Sequence, residues 1–195
     1  MRFVSKKVIE IRRELSDLDR FALDFVRILR KHSRYSIVSG YVSILLGRAR
    51  ASEDIDIIIP PAGLPEFLRL LEGIESAGFY CLNEETGEDI YEHLKSGVAA
   101  RFAKLKTVIP NVELKFAKSR IDDITLDDAI AIMLGKEELK VSPLELQIAF
   151  KEAVLKSPKD MEDARHIRNV AAGHLDAGLI KKYGVMLDGL YRRKP

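Results

Sequence analysis

The stretch SIVSGYVSILLGRARASEDIDIII, residues 36–59, decides how the rest of this chain is interpreted. Its β-branched start runs into a Ser-Gly pair at 39–40, which is typical of a strand followed by a tight turn. Residues 41–46 have room for about two helical turns before Gly47, a residue that often ends helices. Residues 54–59 begin by alternating Asp and Ile, the pattern of a second strand. The stretch therefore predicts strand, turn, short helix, basic loop and strand.

The second strand carries two carboxylates on one face. Successive side chains of a strand point to opposite faces, so Asp54 and Asp56 share one face while Ile55, Ile57 and Ile59 share the other. The Cα atoms of the two Asp residues lie roughly 6–7 Å apart. Like charges at such a separation either raise each other's pKa or require a cation between them, and a pair of divalent ions is usual for in-line phosphoryl transfer. We therefore expect a metal site at Asp54 and Asp56.

The turn between the two strands has the features of an anion site. Ser39 and Gly40 lie at the start of a helix, where free N–H groups and the helix dipole favour a phosphate. Arg48 and Arg50 follow in the basic loop. Their side chains either contact the same phosphate or are simply exposed to solvent. A phosphate site that faces a metal site is what nucleotide chemistry requires.

These residues resemble the motif of the polymerase-β-type nucleotidyltransferases. That motif is an apolar residue, Gly-[Gly/Ser], nine to thirteen residues, and Asp-apolar-[Asp/Glu]-apolar. Here it is Val38, then Ser39 and Gly40, then the thirteen residues 41–53, then Asp-Ile-Asp-Ile at 54–57. The local wording is most similar to the stand-alone prokaryotic branch that includes toxin-type nucleotidyltransferases. Ser39 departs from the pattern, because the family usually has its first Gly there.

The resemblance implies an α/β (α+β) fold, with a small mixed β-sheet flanked by helices. It would be a nucleotidyltransferase-like palm, followed by C-terminal helices. We expect a nucleotidyltransferase-like domain over residues 1–141 and a C-terminal helical extension over 142–195 that packs on it. In the family a third carboxylate comes from a strand beside the Asp-x-Asp strand. Glu113, in the alternating run at 112–116, is the acid that fits, unless it is an exposed residue paired with Lys115.

The implied activity is transfer of a nucleoside monophosphate from an NTP such as ATP to an unknown acceptor hydroxyl, with release of pyrophosphate. The acceptor is RNA, a protein or a small molecule, and the cofactor is Mg²⁺ or Mn²⁺. The residues expected to hold metal and carry catalysis are Asp54, Asp56 and Glu113. Those expected to bind the nucleotide are Ser39, Gly40, Arg48 and Arg50.

Two other functions remain open. The first is a catalytically degenerate nucleotidyltransferase fold that binds a nucleotide or a partner, which Ser39 and the unproven Glu113 favour. The second is a ribonuclease, because Arg168 and His174 match the Arg-x4–6-His spacing of a family of helical RNases.

The composition of the chain excludes several classes of protein. The chain has 195 residues, 47% of them hydrophobic and 32% charged, which suits a single domain with a core of its own. The formal net charge is only +2, so contact with a polyanion depends on local clusters of charge. A single Cys81 excludes a disulfide framework within one chain, and no apolar run approaches a membrane span. We expect a cytoplasmic protein without a membrane partner. A homodimer is one oligomeric state that the sequence leaves open.

The rest of the chain reads mainly as helices and short strands. Residues 1–15 are ambiguous between strand and helix, and residues 129–141 favour a hairpin over a helix end. Apolar spacing or caps predict helices over 17–31, 65–77 and 159–172, and from about 142 onward. Residues 176–191 predict a last helix that is broken near Gly184.

Overall fold

The computed structural model describes residues 1–191. Its strands are Arg2–Ser5 (β1), Val8–Ile11 (β2), Ser36–Ile37 (β3), Asp54–Ile59 (β4), Phe79–Cys81 (β5), Ala100–Lys104 (β6), Asn111–Phe116 (β7), Ile130–Leu134 (β8) and Glu137–Val141 (β9). Its α-helices are Asp17–His32 (α1), Gly40–Leu45 (α2), Leu64–Ser76 (α3), Gly87–Ser96 (α4), Arg120–Asp127 (α5), Leu144–Phe150 (α6), Pro158–Val170 (α7) and Ala177–Tyr191 (α8). The α/β class and the order of elements across residues 36–59 are confirmed.

Within residues 1–191, nine strands form one mixed sheet in the order β1-β2-β8-β9-β3-β4-β7-β6-β5. The acidic strand β4 runs antiparallel to β3 and parallel to β7. The sheet is mixed as predicted but larger than the small sheet expected. The increase comes from β1 and β2, whose sequence pattern was ambiguous, whereas the β8–β9 hairpin confirms the hairpin expected over residues 129–141.

The apolar face of β4 explains why its acids lie together on the other face. Ile55 and Ile57 are fully buried and lie in register with Val112 and Leu114 of β7. Helices α1, α3 and α4 cover this face through aromatic contacts, for example Phe25 of α1 against rings of β5 and β6. Burying one such side chain stabilises the fold by about 1.5–3 kcal/mol. If β4 were turned over so that its acids faced the core, Ile55, Ile57 and Ile59 would each lose that stabilisation.

The C-terminal helices pack around α6. Helix α6 continues into a π-helical turn at Lys151–Leu155, and α7 and α8 both lie against it. Helix α8 runs unbroken through Gly184, so the predicted break is wrong. Burial of Ile180, Tyr183 and Leu187 on one side of α8 outweighs the cost of one helical Gly, about 1 kcal/mol.

The proposed boundary between residues 141 and 142 stays a prediction, and residues 192–195 of the second unit lie outside the described residues. Across residues 1–191, the helices are too short or too polar to cross a bilayer.

Candidate active site

The turn after β3 starts directly beside the acidic strand. The backbone N–H of Val38 donates to the carbonyl oxygen of Asp56 at 2.9 Å, which continues the β3–β4 pairing by one residue. Ser39 follows, and α2 begins at Gly40. The turn and the carboxylates are therefore neighbours because one strand pair holds both.

Two backbone features of the turn favour small residues. Ser39 has φ 61° and ψ −139°, a conformation that glycine adopts freely and other residues adopt at a cost of order 1–3 kcal/mol. A Cβ on Gly40 would lie 2.7 Å from a guanidinium nitrogen of Arg50, so that side chain packs directly on the turn. The geometry at Ser39 gives a physical reason for the glycine that the resembled motif usually carries.

The three predicted carboxylates share one face of the sheet. Asp54 and Asp56 alternate with buried Ile residues on β4, and Glu113 of β7 is the register partner of Asp56. The side chains of Asp56 and Glu113 are 17% and 14% exposed, so both are only partly hydrated. Asp54 accepts a hydrogen bond from the Ser52 hydroxyl at 3.1 Å. These placements agree with the predicted geometry, while the roles of the three acids stay predictions.

The protein supplies its own cations to this acid face, which we define as Asp54, Asp56, Glu113 and Lys115. The ammonium of Lys115 lies 2.8 Å from a carboxylate oxygen of Asp56 and 3.2 Å from one of Glu113. Arg101 of β6 donates to the other oxygen of Glu113 at 2.6 Å. Burial lowers the pKa of Lys115, but the charges and hydrogen bonds of the two carboxylates outweigh it and raise that pKa. Lys115 is therefore a cation at neutral pH.

The acid face fits a divalent metal in its residue types but not in its arrangement. Three carboxylates are the hard oxygen donors that Mg²⁺ and Mn²⁺ prefer. Among residues 1–191, however, no three acidic, His or Cys side chains converge as a ready metal-binding group. Lys115 takes the position between Asp56 and Glu113 that a metal ion would need.

A second group of charges also lies near the turn. We define the cation cluster as Arg48, Arg50 and Lys151 around the carboxylate of Asp163. Lys151 and Arg50 donate to one oxygen of Asp163 at 2.8 and 2.6 Å, and Arg48 donates to the other. The Asp163 side chain is 0% exposed and that of Lys151 is 1% exposed. Burial raises the pKa of Asp163, but the bonds and charges of the three cations lower it further, so its pKa lies below the usual value.

The cation cluster reaches the turn by two routes. Arg50 packs on Gly40, as described, and Lys151 lines a cavity of about 80 Å³ together with Ser39. Ile58 forms part of the same cavity and lies on the acid-bearing side of β4, two residues after Asp56. The predicted nucleotide-binding residues Ser39, Gly40 and Arg50 are thus brought together. The guanidinium of Arg48 joins them through Asp163, and phosphate binding by either Arg stays a prediction.

Helix α2 is fixed from behind by a buried network. The hydroxyl of Tyr41 donates to Asp19 of α1 at 2.8 Å, and Arg13 donates to the same Asp19 oxygen at 2.9 Å. The backbone N–H of Ser16 donates to the other oxygen at 2.7 Å. Since Tyr41 follows Gly40 directly, this network holds the turn in place.

Solved structures of other proteins share the overall fold of this chain. An antigenic nucleotidyltransferase-like protein from Paracoccidioides brasiliensis aligns with a TM-score of 0.53 at 16% identity, over 91% of each chain. The crystal structure of ANT(2″)-Ia in complex with adenylyl-2″-tobramycin aligns at 0.53 and 12% identity, over 90% of this chain and 99% of that one. This chain has the nucleotidyltransferase fold. The solution structure of the antibiotic-resistance factor ANT(2″)-Ia agrees, at 0.54 and 15% identity, over 91% and 95% of the two chains.

At these identities the likeness shows the fold and leaves the chemistry to the residues. No protein-family model and no curated protein sequence matches the chain. The resemblance read from residues 38–57 is therefore confirmed through structure, at the level of the nucleotidyltransferase fold.

Sequence reasoning missed two residues that the nucleotidyltransferase fold places near the turn. Lys151 follows Leu144 by seven residues and Ile148 by three, so it lies on the buried face of α6 and its π-helical continuation. A lysine on an apolar helical face was the available signal. Asp163 likewise precedes buried Ile167 by four residues on α7. Neither pattern reveals that the two residues meet.

The ribonuclease hypothesis gains nothing from the contacts of its two residues. Arg168 forms a two-bond pair with Glu152, at 2.9 Å for each bond. His174 stacks on Phe3 with ring centroids 4.1 Å apart. Each side chain is thus engaged with a different partner.

Proposed function

We propose that the protein is a nucleotidyltransferase that moves a nucleoside monophosphate from an NTP to an acceptor hydroxyl. One observation carries this proposal. The turn at Ser39 and Gly40 adjoins the strand that carries Asp54 and Asp56, and the cations of Arg50 and Lys151 lie against the same turn. A nucleoside triphosphate needs cationic partners for its terminal phosphates and an acidic region around the reacting phosphorus, which is where metal ions act.

In this proposal the turn and the cation cluster bind the phosphates of the nucleotide. Backbone N–H groups at the start of α2 donate to the β- and γ-phosphates, and Arg50 and Lys151 offset their charge. Arg50 is 9% and Lys151 1% exposed, and charges act more strongly where water is largely excluded. The network behind Tyr41 keeps these donors in place, so little reorganisation is needed when the nucleotide arrives.

In the transfer step the acceptor hydroxyl oxygen forms a bond to the α-phosphorus. The bond between that phosphorus and the oxygen bridging to the β-phosphate breaks, and pyrophosphate leaves. Glu113 accepts the proton of the acceptor hydroxyl. The carboxylates of Asp54 and Asp56 lie beside the α-phosphate. Mg²⁺ or Mn²⁺ is the cofactor we propose, because carboxylates near a phosphate require a cation between them.

The direct test is incubation of the purified chain with each α-labelled NTP, Mn²⁺ or Mg²⁺, and separate RNA, protein and small-molecule acceptor pools. ATP and small hydroxylated molecules come first, since ANT(2″)-Ia was crystallised with adenylyl-2″-tobramycin. We expect label in one pool together with an equal amount of pyrophosphate. The control is the Asp54→Asn/Asp56→Asn double variant. Equal label from that variant and from the unchanged chain would contradict the proposal.

A second candidate is a protein that binds a nucleotide without transferring it. The contact of Lys115 with both Asp56 and Glu113 favours it, because an acid face filled by a lysine is stable without metal. Tight binding of an NTP with no pyrophosphate release from any acceptor pool would select this candidate. The turn and the cation cluster would then serve recognition alone.

A further inference from the structure

Lys115 is the residue of the acid face that an active metal site does not call for. It lies two residues after Glu113 on β7, so both side chains point to the same side of the sheet. Its ammonium contacts Asp56 and Glu113 at 2.8 and 3.2 Å. A divalent ion bound to the same two carboxylates would lie within a few ångströms of that ammonium, where like charges repel strongly.

Lys115 is also able to leave. Its flexible four-carbon side chain is 38% exposed, whereas the side chain of Lys151 is only 1% exposed. The register partner of Lys115 on β4 is Ile58, which lines the cavity shared with Ser39. The stem of Lys115 thus starts beside the place where the phosphates of a nucleotide would bind.

We propose that Lys115 is an exchangeable counter-cation that excludes divalent metal from Asp56 and Glu113 until the phosphates of a bound nucleotide draw its ammonium away. This inference rests on the proposed function for its ligand. It makes Lys115 a specificity-determining residue, since metal enters the site readily only when nucleotide is present. Two opposite effects follow from removing its charge: tighter binding of metal alone and weaker binding of nucleotide alone.

The metal arm of the test measures Mn²⁺ binding to the full chain without nucleotide, from the loss of the free-ion EPR signal. Lys115→Gln should bind Mn²⁺ roughly tenfold more tightly than the unchanged chain, because a competing positive charge has gone. Lys115→Arg should stay close to the unchanged chain, since it keeps the charge. Lys104→Gln is the matched control. Lys104 is 40% exposed and pairs with Asp24 at 2.7 Å, away from the acid face.

The nucleotide arm measures binding of a fluorescent ATP in EDTA, so that no metal complex forms. Lys115→Gln should weaken this binding several-fold, and Lys104→Gln should leave it unchanged. A purely structural role for Lys115 would not tighten one ligand and weaken the other. Circular dichroism and the melting temperature of each variant confirm that it is folded.

Unchanged Mn²⁺ affinity in folded Lys115→Gln would overturn the inference. So would tighter Mn²⁺ binding in Lys104→Gln of equal size, because the effect would then be one of net charge. If the unchanged chain binds no ATP in EDTA or with metal, the proposed function fails, while the Mn²⁺ arm still decides whether Lys115 guards the acid face.

Discussion

The cation cluster and the acid face flank the same turn, yet they are built in opposite ways. The cation cluster surrounds one fully buried carboxylate with three cations. The acid face holds three carboxylates and balances them with Lys115 and Arg101, which are 38% and 54% exposed. The buried group is fixed by the cost of separating its charges, whereas the half-exposed group is able to exchange its cations. We infer that the cation cluster is a fixed part of the site, whereas the acid face is the part whose cations exchange.

This difference follows from the dielectric environment of each group. A buried ion pair loses several kcal/mol when one partner is removed, because the other charge stays without water or a counter-ion. An exposed pair loses little, since water replaces the partner. The predictions below test that distinction, beginning with the largest expected effect.

Asp163→Asn should destabilise the protein by about 3–5 kcal/mol, because Lys151, Arg48 and Arg50 would lose their shared buried charge. The measurement is the free energy of unfolding from urea titration. Glu162→Gln is the matched control, since Glu162 also pairs with Arg48 but its side chain is 59% exposed. It should cost less than about 1 kcal/mol. Similar losses from both variants would remove the contrast between the two groups.

Asp56→Asn should have the opposite profile, with a large loss of transfer and little change in stability. Loss of one preorganised charge partner lowers turnover by roughly 10²–10³-fold. Stability should change little, because Lys115 keeps its bond to Glu113 and both carboxylates are partly hydrated. Pyrophosphate release and the urea midpoint provide the two readouts. A variant that keeps its turnover but unfolds at a clearly lower urea concentration would make Asp56 a structural residue.

The two groups also differ in how far the sequence reveals them. The acid face was predictable, because strand alternation and the spacing from Ser39 to Asp54 are local patterns. Its third member, Glu113, followed from the same alternation on β7. The cation cluster joins residues 48 and 163, and no local period encodes a contact over that separation. The pairing of Lys115 with Glu113 followed from the same alternation, but its contact with Asp56 depends on the parallel register of β4 and β7, which no local pattern encodes.

Fold prediction shows the same division. The helices with caps and regular apolar spacing, such as α1 with Ser16 at its start, could be predicted closely. The outer strands β1 and β2 could not, because residues 1–15 carry no clear period. Helix α8 was predicted with a break at Gly184, since local propensity does not include the packing against α6.

Acid should lower the stability of the protein through its buried carboxylates. Asp163 and Asp19 both have a pKa below the usual Asp value. A carboxyl whose pKa is lower in the folded state contributes stability above its unfolded pKa, about 3.9, and loses it as pH falls through the folded pKa. We therefore expect unfolding free energy to fall steeply with acid below about pH 4. Asp163→Asn should show a shallower slope, measured by urea unfolding between about pH 2 and pH 5, and an equal slope would contradict the assignment.

The smallest effect concerns Ser39, the residue that the two charged groups share as a neighbour. Its φ of 61° is unfavourable for any residue with a Cβ, so Ser39→Gly should relieve strain of order 1–3 kcal/mol. Glycine also gains freedom in the unfolded chain, which offsets about 0.4–1 kcal/mol, so a net stabilisation of about 1 kcal/mol is expected. Ser39→Ala is the control, because it removes the hydroxyl but keeps the strained Cβ, and it should not be stabilised. If backbone N–H groups bind the phosphates, ATP affinity should survive in Ser39→Gly, whereas equal losses in both variants would assign binding to the hydroxyl. A Gly variant that unfolds at lower urea than the Ala variant would show that the turn is not strained at this position.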